Sequence, residues 1–490
     1  MKNLGTYTFW FLAGSQHLYG PEVLEKVRCH AKEMVQGMQD GLPCSIVYKN
    51  TVTTPDEITN IIKQANADEN CAGVITWMHT FSPSKMWING LQLLQKPYLH
   101  FHTQYNRRIP NEEIDMDFMN LNQSAHGDRE HGFISARMRI PHKIVVGYWK
   151  DAKTKQEIGA WMRSAVGVCV SKNLKLVRFG DNMRQVAVTE GDKVQAQIQL
   201  GWQVNTWAVG DLVQVIETVS DEEIDEQMRV YRTKYEFATD DIETVRYQAR
   251  EEIAIRKILD EQGAGAFSNT FEDLYGMKQL PGLASQDLMH EGYGYGGEGD
   301  WKVSAMTHIV KCMAQGLDGG TAFMEDYTYD LQEGCELSLG AHMLEVCPSI
   351  AAQKPKIKVA PLGIGGKEPP ARLVFEGAPG DAILISLVDI GGRFRLIVHD
   401  IECVKPQLSM PNLPVARIMW KAMPDFVTGT KAWITAGGAH HAVLTQALRA
   451  QHMEDWAEMM GIEYVHIQKS TTLEAIKQHL FLSDLAWKLR

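Results

Sequence analysis

The stretch Tyr7-Thr8-Phe9-Trp10-Phe11-Leu12-Ala13 carries no charge and reads as a buried β-strand. Pro21 to Met38 follows, with Val23, Val27, Ala31, Met34, Val35 and Met38 spaced as the apolar stripe of an amphipathic helix. A second strand is predicted over Ser45 to Tyr48. Thr54-Pro55-Asp56-Glu57 then has the form of a capping box with proline at the first helical position, which starts a helix running to Ala65. Ala72 to Met78 reads as a third strand, Ser82-Pro83 opens another helix, and Pro97 to Phe101 reads as a fourth strand. Strands alternating with helices in this way predict a parallel, doubly wound sheet, with ligands beyond the carboxyl ends of its strands.

Further along, a helix around Gln156 to Ala165 precedes a new strand over Leu174 to Phe179, and Val204 to Ala208 repeats the pattern. Ser220-Asp221-Glu222-Glu223 caps one helix, and a long one from Glu243 to Gln262 stops at Gly263, a suitable left-handed cap. From about residue 320 β-branched and aromatic runs separated by glycines take over: Thr321 to Tyr329, Ala371 to Phe375, Ala382 to Val388 and Phe394 to His399. Helices are expected late, over Trp456 to Met460 and Thr472 to His479. The chain of 490 residues is long enough for about three domains at roughly 150 residues each. The expectation is an α/β protein: a doubly wound N-terminal domain over 1–172, a central α/β domain over 173–319, and a β-rich C-terminal domain over 320–490.

Lys plus Arg total 49 against 60 Asp plus Glu, a net charge of -11, which argues against a surface built to neutralise nucleic-acid phosphates or anionic lipid. The first apolar run is too short to span a membrane and leads into Ser15-Gln16-His17, not a small-residue cleavage site. A cytoplasmic protein with no nucleic-acid or membrane partner is expected. The eight cysteines are scattered without a C-x-x-C pair, as reduced thiols in a large enzyme would be.

Gly292-Tyr293-Gly294-Tyr295-Gly296-Gly297 matches the dinucleotide fingerprint literally, but it follows a helical segment, Leu283 to His290, where that motif needs a strand. Gly363-Ile364-Gly365-Gly366-Lys367 falls short of a phosphate-binding loop, since Pro361 stands where the first glycine belongs and Glu368 replaces Ser or Thr. More informative is Gly296-Gly297-Glu298-Gly299-Asp300-Trp301, which presents a carboxylate between glycines that admit close approach. In Thr321 to Tyr327, alternation puts Glu325 on the same face as Phe323 and Tyr327. A carboxylate in that setting reaches solvent or finds a partner, because an unpaired buried charge is costly. His342 and the pair His440-His441 lie in apolar and glycine-rich surroundings, where a histidine is usually a satisfied core residue. Together, two glutamates and two histidines have the ligand chemistry for an octahedral divalent ion, and the absence of thiolate favours Mn²⁺ over structural zinc. Their spacing has no local register and does not establish such a site.

Several longer motifs extend this reading: Gly14-Ser15-Gln16-His17-Leu18-Tyr19-Gly20, His79-Thr80-Phe81-Ser82-Pro83, Met116-Asp117-Phe118-Met119-Asn120-Leu121-Asn122-Gln123, and Arg178-Phe179-Gly180-Asp181-Asn182-Met183-Arg184. To these add Gly297-Glu298-Gly299-Asp300-Trp301, Met324-Glu325-Asp326-Tyr327, His342-Met343-Leu344-Glu345-Val346-Cys347-Pro348 and Gly437-Gly438-Ala439-His440-His441. In these motifs, and in their order, the chain resembles the L-arabinose isomerases over essentially its whole length. The resemblance implies an aldose–ketose isomerase converting L-arabinose to L-ribulose, with D-galactose to D-tagatose as a side activity. It implies one Mn²⁺ per subunit on Glu298, Glu325, His342 and His441, the last preferred to His440 by its place in the motif. Glu298 and Glu325 are then the catalytic pair, with Glu325 taken as base and Glu298 as acid, or the reverse. Sugar contacts are implied for Gln16, Leu18, Tyr19, Phe81, Gln123, His126, Met183 and Phe271, and a homohexamer whose active sites are shared between subunits. One departure is Phe267-Ser268-Asn269-Thr270 before Phe271, where relatives often carry a threonine run; this leaves fine sugar preference open. An isomerase of another aldose such as L-fucose, or a metal-dependent sugar-binding protein without turnover, are the alternatives.

Overall fold

The computed structural model describes residues 3–406 and 409–489, and the chain divides into two compact units, residues 2–169 and 170–490. In the first unit β1 (Thr8–Gly14), β2 (Ser45–Val52), β3 (Cys71–Met78), β4 (Tyr98–His102) and β5 (Lys143–Val146) form one sheet. Its order is β2-β1-β3-β4-β5 and every pairing is parallel. Every residue of β3 is buried, as in a parallel sheet covered on both faces. The order reverses between β1 and β3, and that switch point is where a crevice opens at the carboxyl ends. The sequence pattern anticipated the first four strands; β5 carries only four residues, two of them exposed, and has no strong pattern to read.

Local signals held with small shifts. The helix Gly20–Met38 buries Leu24 in place of the expected Val23, together with Val27, Ala31, Met34, Val35 and Met38. Thr54 caps Pro55–Ala67 by accepting from the Glu57 amide. The Glu57 carboxylate reaches one residue further back than a capping box requires, to the amide of Thr53 at 2.8 Å. At Ser220 the reciprocal capping box is complete.

The second unit holds another parallel sheet, of β6 (Lys175–Phe179), β7 (Gln203–Trp207), β9 (Ala266–Asn269) and β10 (Gly294–Gly296), in the order β10-β9-β6-β7. The short β8 (Glu236–Phe237) leaves it to join β13 (Lys356–Val359) and β14 (Ala371–Val374) in a separate three-stranded sheet. The glycine run at 292–297 therefore makes an edge strand after the helix Gly282–His290.

The β-rich part is more than an open sheet. Around the ring β15 (Gly380–Asp389), β18 (His441–Thr445), β11 (Thr321–Asp330), β12 (Leu337–Ala341), β17 (Arg417–Ala422) and β16 (Phe394–Val404), neighbours pair antiparallel, and β16 returns to β15. The ring is a closed barrel, which leaves no free edge among its six members. β19 (Glu463–Ile467) adds to β16 in parallel. The helix Trp301–Met313 is buried at every residue and packs against β9, β10, β11, β15 and β18. It thus ties the second parallel sheet to the barrel, and the turn leading into it carries Glu298 and Asp300 of the site described below. Among the described residues no helix is long and apolar enough to cross a membrane.

Candidate active site

Glu298 sits in the turn between β10 and the helix Trp301–Met313. Its backbone is left-handed, with φ 60°, a conformation uncommon outside glycine that costs on the order of 1–3 kcal/mol and needs its surroundings to hold it. Its carbonyl accepts from the Met183 amide at 3.0 Å, and the next amide, Gly299, donates to the Asn269 carbonyl at 3.0 Å. The two flanking glycines have separate reasons. A Cβ on Gly299 would stand 2.7 Å from the Asn182 Cα at φ 79°, and one on Gly297 would stand 2.9 Å from Cε1 of His342. The presented acid of the sequence reading is therefore also a slot for an imidazole.

The barrel supplies the rest. Glu325 on β11 pairs with Ala341 on one side and His441 on the other, and His342 follows directly on β12. Phe323, two residues before Glu325, has its ring 4.8 Å from that of His342 and 5.0 Å from that of His441. Phe271 stacks on His342 from a ring distance of 6.0 Å. Beyond Glu325 the strand bulges between Asp326 and Thr328, and Tyr327 is exposed.

Both buried imidazoles are held by Nδ1. His342 Nδ1 donates to Glu345 Oε2 at 2.6 Å, and His441 Nδ1 to Asp300 Oδ2 at 3.2 Å. The Nε2 atoms face the glutamates: His342 Nε2 lies 3.9 Å from Glu325 Oε2, and His441 Nε2 lies 3.9 Å from Glu298 Oε2. His441 Nε2 is buried without a hydrogen-bond partner, an unusual position for such an atom. His440 is half-exposed, and its Nε2 meets Glu298 Oε2 at 3.3 Å. Glu298, His440 and His441 bring donor atoms within 4.8 Å of one another, so proximity alone does not separate the two neighbouring histidines.

Burial pulls the His342 imidazole down, but the charge and hydrogen bond of Glu345 outweigh it and the pKa is raised. For His441 burial wins over Asp300 and the pKa is lowered. Burial pushes the Glu298 carboxyl up, yet the hydrogen bond of His440 and the neighbouring imidazoles hold it below the usual range.

The remaining expected contacts fall in two groups. Met183 and Phe271 lie with this cluster, by the contacts given above. In the first unit, Gln16, Leu18 and Tyr19 follow β1 and Phe81 follows β3, at the switch point of the sheet. Gln123 joins them from the start of the helix Ser124–Met138. Its amide donates to the His79 carbonyl at 2.8 Å, and its Nε2 donates to the Tyr19 hydroxyl at 2.9 Å. His126 stacks on Phe81 with ring centroids 5.4 Å apart. Asp300 and Glu345 had no role in the sequence reading. The signal was faint but present: one stands just before a helix start beside a presented acid, the other three residues after a candidate histidine.

Two glutamates facing two oriented imidazoles, beside the rings of Phe323 and Phe271, define an enzyme site of the general acid–base kind, with donors suited to a cation. The comparisons narrow the class. The models of the L-arabinose isomerase N-terminal, central and C-terminal domains match residues 3–173, 175–316 and 320–463. An L-arabinose isomerase of Thermotoga petrophila is 54% identical, over 100% of this chain and 99% of its own length. That of Geobacillus stearothermophilus is 54% identical over 100% of both, and L-arabinose isomerase 1 of Bacillus licheniformis is 54% identical over 99% of both. The chain belongs to the L-arabinose isomerase family.

Proposed function

We propose that this chain interconverts L-arabinose and L-ribulose by moving a proton between adjacent sugar carbons. The observation that carries the reading is the placement of Glu325 beside His342 and of Glu298 beside His441, with the two imidazole rings 5.6 Å apart and the His441 Nε2 buried and without a hydrogen-bond partner. That orphan acceptor, with two carboxylates and a second imidazole near it and no thiolate, fits a hard to borderline divalent cation. When bound by these four residues, Mn²⁺ supplies Lewis-acid stabilisation of the charge that develops on the sugar oxygens. Glu325 takes the proton from C2 and returns it at C1, while Glu298 shuttles the hydroxyl proton; the exchanged assignment uses the same atoms. Phe323 and Phe271 exclude water around His342, and Met183 holds the Glu298 backbone. In D₂O, product carries deuterium at C1, because a proton held on a glutamate exchanges before it returns; absence of label over many turnovers favours a hydride shift instead.

The fuller reading includes D-galactose as a second substrate, residence in the cytoplasm, and three domains bounded near residues 172 and 319. It also includes a homohexamer in which first-domain residues complete a neighbour's pocket. Supporting the last point, Leu18, Met116 and Met119, close in sequence to Tyr19 and Gln123, are exposed, as surface awaiting a partner is. Mixing inactive His126→Ala and Glu325→Gln proteins after dissociation and reassembly should restore part of the activity; mixed oligomers as inactive as either parent mean that each chain completes its own site. The main test is ketose formation from a panel of aldoses, with and without added Mn²⁺. L-Arabinose should lead and chelation should abolish turnover. Preference for L-fucose makes the chain another aldose's isomerase, and binding without product makes it a sugar-binding protein.

A further inference from the structure

We propose that Asp300 and Glu345 are positioning residues: each fixes the tautomer of one histidine, so that His441 and His342 present Nε2 as bare acceptors to the cation. The inference rests on the metal reading above and concerns how the ligands are made ready. A neutral imidazole offers a metal only the nitrogen that carries no proton, and the hydrogen bond at the other nitrogen decides which one that is. Both Nδ1 atoms face carboxylates, which only accept when ionised.

The two carboxylates are anchored differently, and that difference makes the proposal testable. Asp300 is divided by its surroundings. Oδ1 accepts from the amides of Lys302 at 3.1 Å and Val303 at 3.2 Å, capping the helix Trp301–Met313, and Oδ2 faces His441 at 3.2 Å. An asparagine here must keep its carbonyl oxygen at the amides, which leaves its NH₂ against His441 Nδ1. That NH₂ only donates, so Nδ1 must become the acceptor and the proton moves to Nε2, where it blocks the cation. Glu345 is gathered on one atom. Oε2 accepts from the Leu344 amide at 3.0 Å and from His342 at 2.6 Å. Among the described residues Oε1 meets the Tyr295 hydroxyl at 3.2 Å, whose single hydrogen has a nearer acceptor in Asn269 Oδ1 at 2.8 Å. A glutamine can therefore leave its oxygen with both N–H donors and turn its NH₂ to the phenol. The tautomer survives and only the charge is lost.

The test is Mn²⁺ binding to the full-length protein, read by competition with a chromophoric chelator, and the nitrogen couplings in the spin-echo spectrum of bound Mn²⁺. Asp300→Asn should weaken binding by about 10- to 100-fold and remove one imidazole coupling; the cap is kept, but the metal-free protein should melt below the wild type, because the buried Lys302 ammonium, 3.8 Å from Oδ1, loses its counter-charge. Glu345→Gln should keep both couplings and lose only a few-fold in affinity; Glu345→Leu, with no acceptor, should lose as much as Asp300→Asn. Wild-type affinity and two couplings in Asp300→Asn, or equal losses in Asp300→Asn and Glu345→Gln, would overturn the proposal. A wild type that binds no Mn²⁺ overturns the metal reading, and the proposal with it.

Discussion

The cluster around Glu298 and the crevice at the ends of β1 and β3 are built on opposite plans. In the first, His342, His441, Asp300 and Glu345 are buried, and each imidazole is locked by a carboxylate. In the second, Leu18 and His126 are exposed, and the side chains lean on one another through single contacts such as Gln123 to Tyr19. The difference teaches how the work divides. Groups that must hold charge in a fixed place are preorganised at a cost in burial and backbone strain, whereas the crevice groups, proposed above to meet the sugar, carry no such lock.

The largest effect that could break this division is on turnover. Glu298→Gln and Glu325→Gln should each lower kcat by about 10² to 10⁴ with little change in melting, since shape is kept. His126→Ala should act through KM, silent at the low sugar concentration of the mixing experiment and recovering its kcat as sugar approaches saturation. An equal loss of kcat from His126→Ala would put chemistry in the crevice, and near-normal turnover in either glutamine variant would remove that residue from the mechanism.

Next comes His441 against His440. His441→Ala removes a buried acceptor aimed at Glu298, so Mn²⁺ affinity should fall by more than tenfold. His440→Ala frees an edge of Glu298 and should change affinity far less. Equal losses, or the reverse order, would make His440 the ligand, which the short Glu298 contact of 3.3 Å makes a sharp alternative.

The same contrast explains what could be read from the sequence. Crevice residues follow a local rule: in a parallel sheet they sit just after a strand, and Gln16 and Phe81 do so after strands whose apolar runs are plain. The cluster depends on pairings far apart in the chain, Glu325 opposite His441 and His342 beside both, and no periodicity encodes which strand closes a barrel against which. The bottom-up reading thus named Glu298, Glu325, His342 and His441 as residue types that could bind a cation, but their neighbourhood in the fold came only from the family resemblance. It also missed β12, β17, β18 and β19, whose runs are short or follow helices; it read the strand at Ala371 to Phe375, but nothing in that run tells that β14 joins the small sheet with β13 and β8.

A smaller effect concerns pH. In the second unit His308 and His399 are deeply buried, and desolvation lowers each from the usual 6.5 to about 4. Above pH 6.5 neither form binds the proton, so these groups add no pH dependence. As pH falls from 6.5 towards 4, the unfolded chain takes up protons that the folded one refuses, and stability declines. The urea midpoint of the 170–490 unit should drop over that window, and His308→Gln with His399→Gln should flatten the slope. A slope unchanged by both substitutions would assign the acid sensitivity elsewhere.

The smallest expected change is at Leu18. It is 83% exposed, in the short turn His17–Tyr19 between β1 and the helix Gly20–Met38. An apolar side chain that touches so little of its own unit contributes little to that unit's stability, and Leu18→Ala should move it by no more than about 0.5 kcal/mol. If the side chain covers bound sugar in the assembled enzyme, the loss is of apolar contact worth about 1 kcal/mol, so KM should rise several-fold while kcat and Mn²⁺ affinity hold. Measuring KM, kcat and the oligomer's melting temperature together decides the matter. A higher KM with unchanged melting keeps Leu18 as a sugar contact and the crevice as the part that reads substrate. A drop in melting at unchanged KM would instead make Leu18 part of a subunit interface, and the open crevice would then be held together by assembly in the way that the buried cluster is held together by burial.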